Sequence, residues 1–297
     1  MFLIIFAYAI LAATFTLAKT VLFYAKPFFT IGFRMIVAGF GLLLFQYFFN
    51  RREAFPKKKD LPLFLKVSLF HIYLAFVLEF WALQEMASSK VSIIYAITPF
   101  IAATLAYFLL KERLGVRKII GMIIGFSSLF PILMATNGLE GAELFSISLR
   151  EVILLFAVFF ASYAWFDIKK LIDRGYQLLS INGFAMFVGG ILAMITSIIF
   201  EGFTPSPIFN FSNFIFWLLL LIICSNVIFY NLYGYLLRHY SITFLTFVGC
   251  LTPIFAAFYG WLFLGEVITW HYLLSLIMVI VALYIFYGAE IKTTKTD

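Results

Sequence analysis

Apolar residues along the chain fall into long runs, not into the strict alternation of a half-buried strand or the narrow stripe of a surface helix. "FWLLLLIICSNVIFY" at 216–230 is typical. A hydrocarbon core of about 30 Å takes about 20 such residues as a helix. Dividing the chain at charged and turn-rich breaks predicts ten spanning helices, over 2–22, 28–49, 62–85, 91–110, 117–136, 151–171, 179–200, 213–237, 243–264 and 270–288. The breaks include "NRREAFPKKKD" and "EGFTPSPIFNFSN". A membrane β-barrel needs roughly ten-residue segments of alternating polarity, which these runs are not. The first run lacks a basic n-region, so a retained helix is expected rather than a signal peptide. The predicted fold class is therefore all-α integral membrane protein with ten transmembrane helices.

Composition agrees: 64% of the residues are hydrophobic and 12% charged, against about half and a quarter in soluble domains. The net charge of +7 is explained by where the cations fall. Arg51, Arg52, Lys57, Lys58 and Lys59 follow the second helix; Lys111, Arg113, Arg117 and Lys118 the fourth; Lys169, Lys170 and Arg174 the sixth; Arg238 the eighth; Lys292 and Lys295 the tenth. All lie on one face, which the positive-inside rule makes cytoplasmic, with both termini on that side. The charge then reports topology and calls for no nucleic-acid partner; the bilayer is the partner. Cys224 and Cys250 sit within apolar runs as packing residues.

The chain also contains a duplicated stretch. "TPFIAATLAYFLLKE" at 98–112 returns as "TPIFAAFYGWLFLGE" at 252–266, 154 positions later and without a gap, with Thr98/Thr252, Pro99/Pro253, Ala102/Ala256, Ala103/Ala257, Leu110/Leu264 and Glu112/Glu266 identical. The same offset pairs Trp81 with Tyr235. Each copy holds five helices, an odd number, so the second is inverted relative to the first. Two inverted five-helix repeats provide two nearly equivalent packings, one open to each side of the membrane.

These two stretches, extended to "ITPFIAATLAYFLLKERLGVRKIIGMIIGFSSL" at 97–129 and "LTPIFAAFYGWLFLGEVITWHYLLSLIMVI" at 251–280, resemble the EamA-like group of the drug/metabolite transporter superfamily. The resemblance implies one repeat over 1–137, an external linker over 138–149, a second repeat over 150–290 and a cytoplasmic tail over 291–297. It implies a secondary transporter of a small organic metabolite, in a bacterial cytoplasmic membrane. Relatives carry amino acids, sugars, drugs and nucleotide-like metabolites. Some exchange S-adenosylmethionine for S-adenosylhomocysteine in intracellular bacteria, and that exchange stands beside amino-acid or drug export as the implied activity.

The residues offer candidates for the site. Pro99 and Pro253 each remove a backbone donor and disturb the carbonyl four residues earlier, at Tyr95 and Gly249, so both are expected as hinges. Glu112 and Glu266 close their helices at opposite interfaces as structural ties. Charges inside spans must face protein or water. Arg34, Glu79 and Lys19 fall toward the outer side of the first three helices, either as an outer substrate or coupling site, or as an Arg34–Glu79 pair with Lys19 reaching the interface. Asp167, beside Lys169 and Lys170, reads as an interfacial charge. Asn226, Tyr230 and Tyr233 share one face at i, i+4 and i+7, and Tyr233 is the repeat-equivalent of Glu79. Trp81, Tyr95, Trp165 and Tyr235 supply candidate aromatic walls for a planar base or a cation. His71, His239 and His271 make no metal-ligand spacing, and no phosphate-binding loop is present. Neither enzyme chemistry, a metal nor a cofactor is expected; a purely structural membrane protein would leave the duplication unexplained.

Overall fold

The computed structural model describes residues 2–49, 55–86, 91, 94–111, 115–128, 130–131, 149–264 and 270–294. Its helices in chain order are α1 (Phe2–Val21), α2 (Pro27–Phe49), α3 (Lys58–Leu83), α4 (Thr98–Leu110), α5 (Val116–Ser127), α6 (Leu149–Asp173), α7 (Leu178–Phe200), α8 (Phe211–Leu236), α9 (Ile242–Val248, continued by Thr252–Leu264) and α10 (Trp270–Thr294). Each of the ten apolar runs has its helix. Seven of the described helices are long and apolar enough to cross a membrane, and α4 and the Leu273–Phe286 part of α10 are shorter apolar helices. Glu112 and Glu266 lie outside the described residues.

The packing repeats itself across the two halves. Helix α2 packs along α7 and α5 along α10, while α3 packs on α6 as α1 packs on α8 and α9. Apolar surface gains little by leaving lipid for another apolar helix, so close approach of backbones has to hold such pairs. The α2–α7 contact relies on glycine: a Cβ on Gly39 would stand 2.3 Å from the backbone nitrogen of Phe187, and one on Gly190 2.7 Å from that of Ile36.

Two helices depart from regular α geometry, at matching places. Helix α3 widens into a π-helical turn over Ser68–Leu74 before resuming at Ala75, and α8 does so over Ile222–Phe229 before resuming at Tyr230. Their first residues, 68 and 222, are separated by the same 154 positions as the duplicated stretch. Two further interruptions precede the prolines. The chain turns at 96–97 before α4 begins at Thr98, and α9 tightens into a 3₁₀ turn at Gly249–Leu251 before restarting at Thr252. Pro99 thus stands in the first turn of a new helical segment, where a missing N–H costs little. The expected kink is a restart.

At the end opposite the basic loops, Glu201 reaches the start of α2. Its carboxylate accepts from the backbone N–H groups of Phe28 at 2.7 Å and Phe29 at 2.8 Å, donors that no helical carbonyl serves. Ser197 Oγ donates to the same carboxylate at 2.7 Å. Glu201→Ala is expected to cost about 1–2 kcal/mol, read as a lower melting temperature in detergent with Glu201→Gln between the two. An unchanged melting temperature would mean that solvent serves those donors equally well.

Candidate functional site

The two halves enclose a cavity of about 100 Å³, lined from one side by α1–α4 and from the other by α6, α8 and α9. The π turns set its walls. In α3 the lining residues are His71, Ala75, Phe76, Glu79 and Phe80; in α8 they are Ser225, Phe229, Tyr230 and Tyr233. The offset of 154 carries 71, 75, 76 and 79 onto 225, 229, 230 and 233. One backbone irregularity, written twice, presents the same four positions from opposite sides.

Arg34 enters from α2 with 1% of its surface exposed. Its Nε donates to Asn226 Oδ1 at 2.8 Å and its Nη2 to Ser225 Oγ at 2.5 Å. The guanidinium lies over the Phe76 ring, 5.1 Å from its centroid. A guanidinium carries five donors, and Nη1 has no hydrogen-bond partner among the described residues. Glu79 lines the same cavity and accepts at Oε2 from the Tyr95 hydroxyl at 2.5 Å. Arg34 and Glu79 make no ion pair, so the cavity holds a positive and a negative group with separate partners. Neutral hydrogen bonds position each, and donor and acceptor capacity is left over.

Aromatic rings form the remaining wall. Trp165 stands 4.3 Å from Tyr233 and 5.9 Å from Tyr230, nearly parallel to the latter. His71 meets both Trp165 and Tyr230 edge to face, at 4.5 and 5.1 Å. The imidazole is 2% exposed and neither ring nitrogen has a hydrogen-bond partner among the described residues. The interrupted helices α4 and α9 contribute Tyr95, Thr98, Gly249 and Thr252 to the lining.

Of the residues singled out in the sequence, Arg34, Glu79, Tyr95, Trp165, Tyr230 and Tyr233 converge on the cavity. Asn226 does not line it. Ser225 lines it instead, four residues before Phe229, while Asn226 is turned to Arg34 and donates to Met35 Sδ at 3.1 Å. Lys19 caps the end of α3, donating to the carbonyls of Leu83, Gln84 and Met86 at 2.6, 3.0 and 3.1 Å, away from Arg34 and Glu79. Trp81 stands outside the cavity under the Arg150 guanidinium at 4.7 Å, and Arg150 also pairs with Glu85. Tyr235 is 46% exposed and packs on His239. Asp167, 1% exposed, joins α6 to α3 through Lys66 at 3.0 Å and pairs with Lys170 at 2.9 Å. Sequence reasoning passed over His71, Phe76 and Ser225. Extending the offset from Glu79 and Tyr233 back along both helices is the signal that finds them.

The family model of the EamA-like transporters matches residues 1–134 and 149–288. The chain belongs to the EamA-like transporter family. As an EamA-like transporter it is a carrier and not an enzyme, with a small molecule as its cargo. It is similar to the S-adenosylmethionine/S-adenosylhomocysteine transporter of Chlamydia muridarum, at 39% identity over 89% of this chain and 84% of that protein. It is also similar to the protein of the same description from Chlamydia trachomatis, at 37% identity over 89% and 82%. A solved crystal structure shares the fold with a TM-score of 0.73 at 15% identity, covering 95% of this EamA-like transporter and 94% of its own chain.

Proposed function

We propose that this transporter takes up S-adenosylmethionine in exchange for S-adenosylhomocysteine across a bacterial cytoplasmic membrane, with both termini in the cytoplasm. The observation that carries the reading is the separation of Arg34 from Glu79 within one aromatic-walled cavity. An α-amino acid brings a carboxylate and an ammonium, which match a guanidinium with free donors and a carboxylate with a free oxygen. The sulfonium and adenine of the adenosyl compound match Trp165, Tyr230 and Tyr233, whose faces attract cations and stack on flat rings. The descriptions of the chlamydial relatives support the same cargo.

The duplicated architecture supports the alternating access that exchange requires. Repeats over 1–137 and 150–290, joined by 138–149, rock against each other about the shared cavity, and the interruptions before Pro99 and Pro253 serve as hinges. Pockets for drug-sized ligands start at about 300 Å³, so the cavity must widen to admit an adenosyl amino acid. The two π turns, without the regular i to i+4 ladder, are the places where α3 and α8 yield with least loss of hydrogen bonding.

Proteoliposomes loaded with unlabelled S-adenosylhomocysteine are expected to accumulate labelled S-adenosylmethionine faster than empty ones. Acceleration by internal methionine or a quaternary ammonium compound, with S-adenosylhomocysteine inert, would reassign the cargo to amino acids or cationic drugs.

A further inference from the structure

Among the described residues, His71 is the cavity-lining side chain whose polar atoms are buried without a hydrogen-bond partner. Buried polar groups are nearly always hydrogen-bonded, because an unmade bond in a low-dielectric site leaves the full desolvation cost uncompensated. Its repeat counterpart, Ser225, is satisfied by Arg34. The Ala161 carbonyl is near the imidazole but outside hydrogen-bonding geometry. A packing role alone would be filled by Phe, the residue type this chain uses 40 times. An imidazole at this position therefore points to a partner that arrives with the cargo.

The ring geometry says which part of the cargo that is. Trp165 and Tyr230 lie within 27° of parallel, and the imidazole is inclined at 72° and 71° to them. A flat ring stacked on Trp165 or Tyr230 then stands steeply to the imidazole and presents its own edge toward it, within reach of a hydrogen bond to a ring nitrogen. Neutral imidazole offers one donor and one acceptor. The edge of adenine that carries the 6-amino group offers a donor beside ring-nitrogen acceptors. Arg34 and Glu79 are committed to the charged amino-acid end and Ser162 Oγ already donates to the Val158 carbonyl at 2.7 Å, so the buried imidazole is the polar ring-nitrogen partner that the base meets beside Trp165 and Tyr230.

We propose that His71 recognises the 6-amino edge of the substrate's adenine ring by hydrogen bonding while Trp165 and Tyr230 hold its face. The proposal rests on the adenosyl amino-acid reading of the cargo. It makes His71 the residue that separates adenine from other flat rings.

The test uses full-length transporter in proteoliposomes loaded with S-adenosylhomocysteine, with uptake of labelled S-adenosylmethionine as readout. Competitors are S-adenosylhomocysteine and its analogues lacking in turn the 6-amino group, N1 or N7. The wild type is expected to bind at least one analogue about 10-fold more weakly than the parent. In His71→Phe the parent should weaken about 10-fold and that analogue hardly at all, so their ratio collapses toward one. His71→Gln, which keeps a donor and an acceptor, should restore part of the discrimination. Equal competition by all analogues in the wild type overturns the role of His71 without any variant, and so does a ratio that persists in His71→Phe. Absence of wild-type uptake overturns the cargo reading, and this proposal with it.

Discussion

Arg34→Gln is expected to lower S-adenosylmethionine uptake by about 100-fold, the effect of roughly 3 kcal/mol lost when one partner of a buried charged contact is truncated. The guanidinium is held by Asn226 and Ser225, two neutral side chains that orient it without spending its charge. Its unused donors are then free for a carboxylate, and the fork geometry makes the site selective. Arg34→Lys keeps the charge but loses the fork, so an intermediate loss is expected, mostly in KM. Membrane abundance separates binding from folding, because Arg34 and Glu79 are held by separate hydrogen-bond partners. A double-mutant cycle of Arg34→Gln and Glu79→Gln should give a thermal-stability coupling of about 1 kcal/mol or less, that of two charges that attract across one cavity without a hydrogen bond between them. Glu79→Gln alone should weaken S-adenosylmethionine, with its second cationic centre, more than S-adenosylhomocysteine. A large stabilising coupling, with uptake per folded molecule unchanged in both single variants, would make Arg34 and Glu79 a structural pair and remove them from the site.

Gly39→Leu is expected to eliminate folded protein. The three atoms nearest a Cβ at this position are all backbone of the facing helix: Phe187 N at 2.3 Å, Gly183 O and Phe187 Cα at 2.8 Å. Backbone cannot swing aside as the end of a side chain does, so α2 and α7 must separate along their length. Overpacking of an ordinary core costs about 1–3 kcal/mol, and here it also opens a contact between the two repeats that has little but close packing to hold it. Gly39→Ala, with the same Cβ and nothing beyond, should fold with a lowered melting temperature. Gly41, two residues further on, has nothing within 4 Å of its Cβ position, and Gly41→Leu should melt with the wild type. Chromatographic monodispersity and melting temperature in detergent decide the matter; a Gly39→Leu protein that behaves like Gly41→Leu would show that α2 and α7 are not clamped in the membrane.

Ten apolar runs and an exact spacing of 154 positions were legible in the sequence, because spanning a bilayer imposes a length on every helix and duplication leaves identical residues in register. Arg34 and Glu79 were legible for a related reason: charge within a span is costly, so it has a purpose. Their partners were not. The two groups fall at similar depth on neighbouring helices and read equally well as a pair, and only tertiary packing decides: α8 against α2 gives Arg34 to Asn226 and Ser225, and the segment before α4 against α3 gives Glu79 to Tyr95. Lys19 shows the same limit, since the carbonyls it caps lie 64 to 67 residues away in the chain.

What the sequence determined alone is what depends on local composition and on copying: helical class, the ten apolar runs and the spacing of the duplicated stretch. What the tertiary structure decided is the rotation of each helix about its own axis. A 3.6-residue wheel assumes continuous α geometry, and the π turns at Ser68–Leu74 and Ile222–Phe229 break that assumption. His71, Ser225 and Asn226 all lie within them, and only the packing shows that Ser225 faces the cavity and Asn226 does not. No residue type marks such a turn; the one in α3 lies where α7 comes closest, against Gly189, whose Cβ would stand 2.7 Å from Ile72.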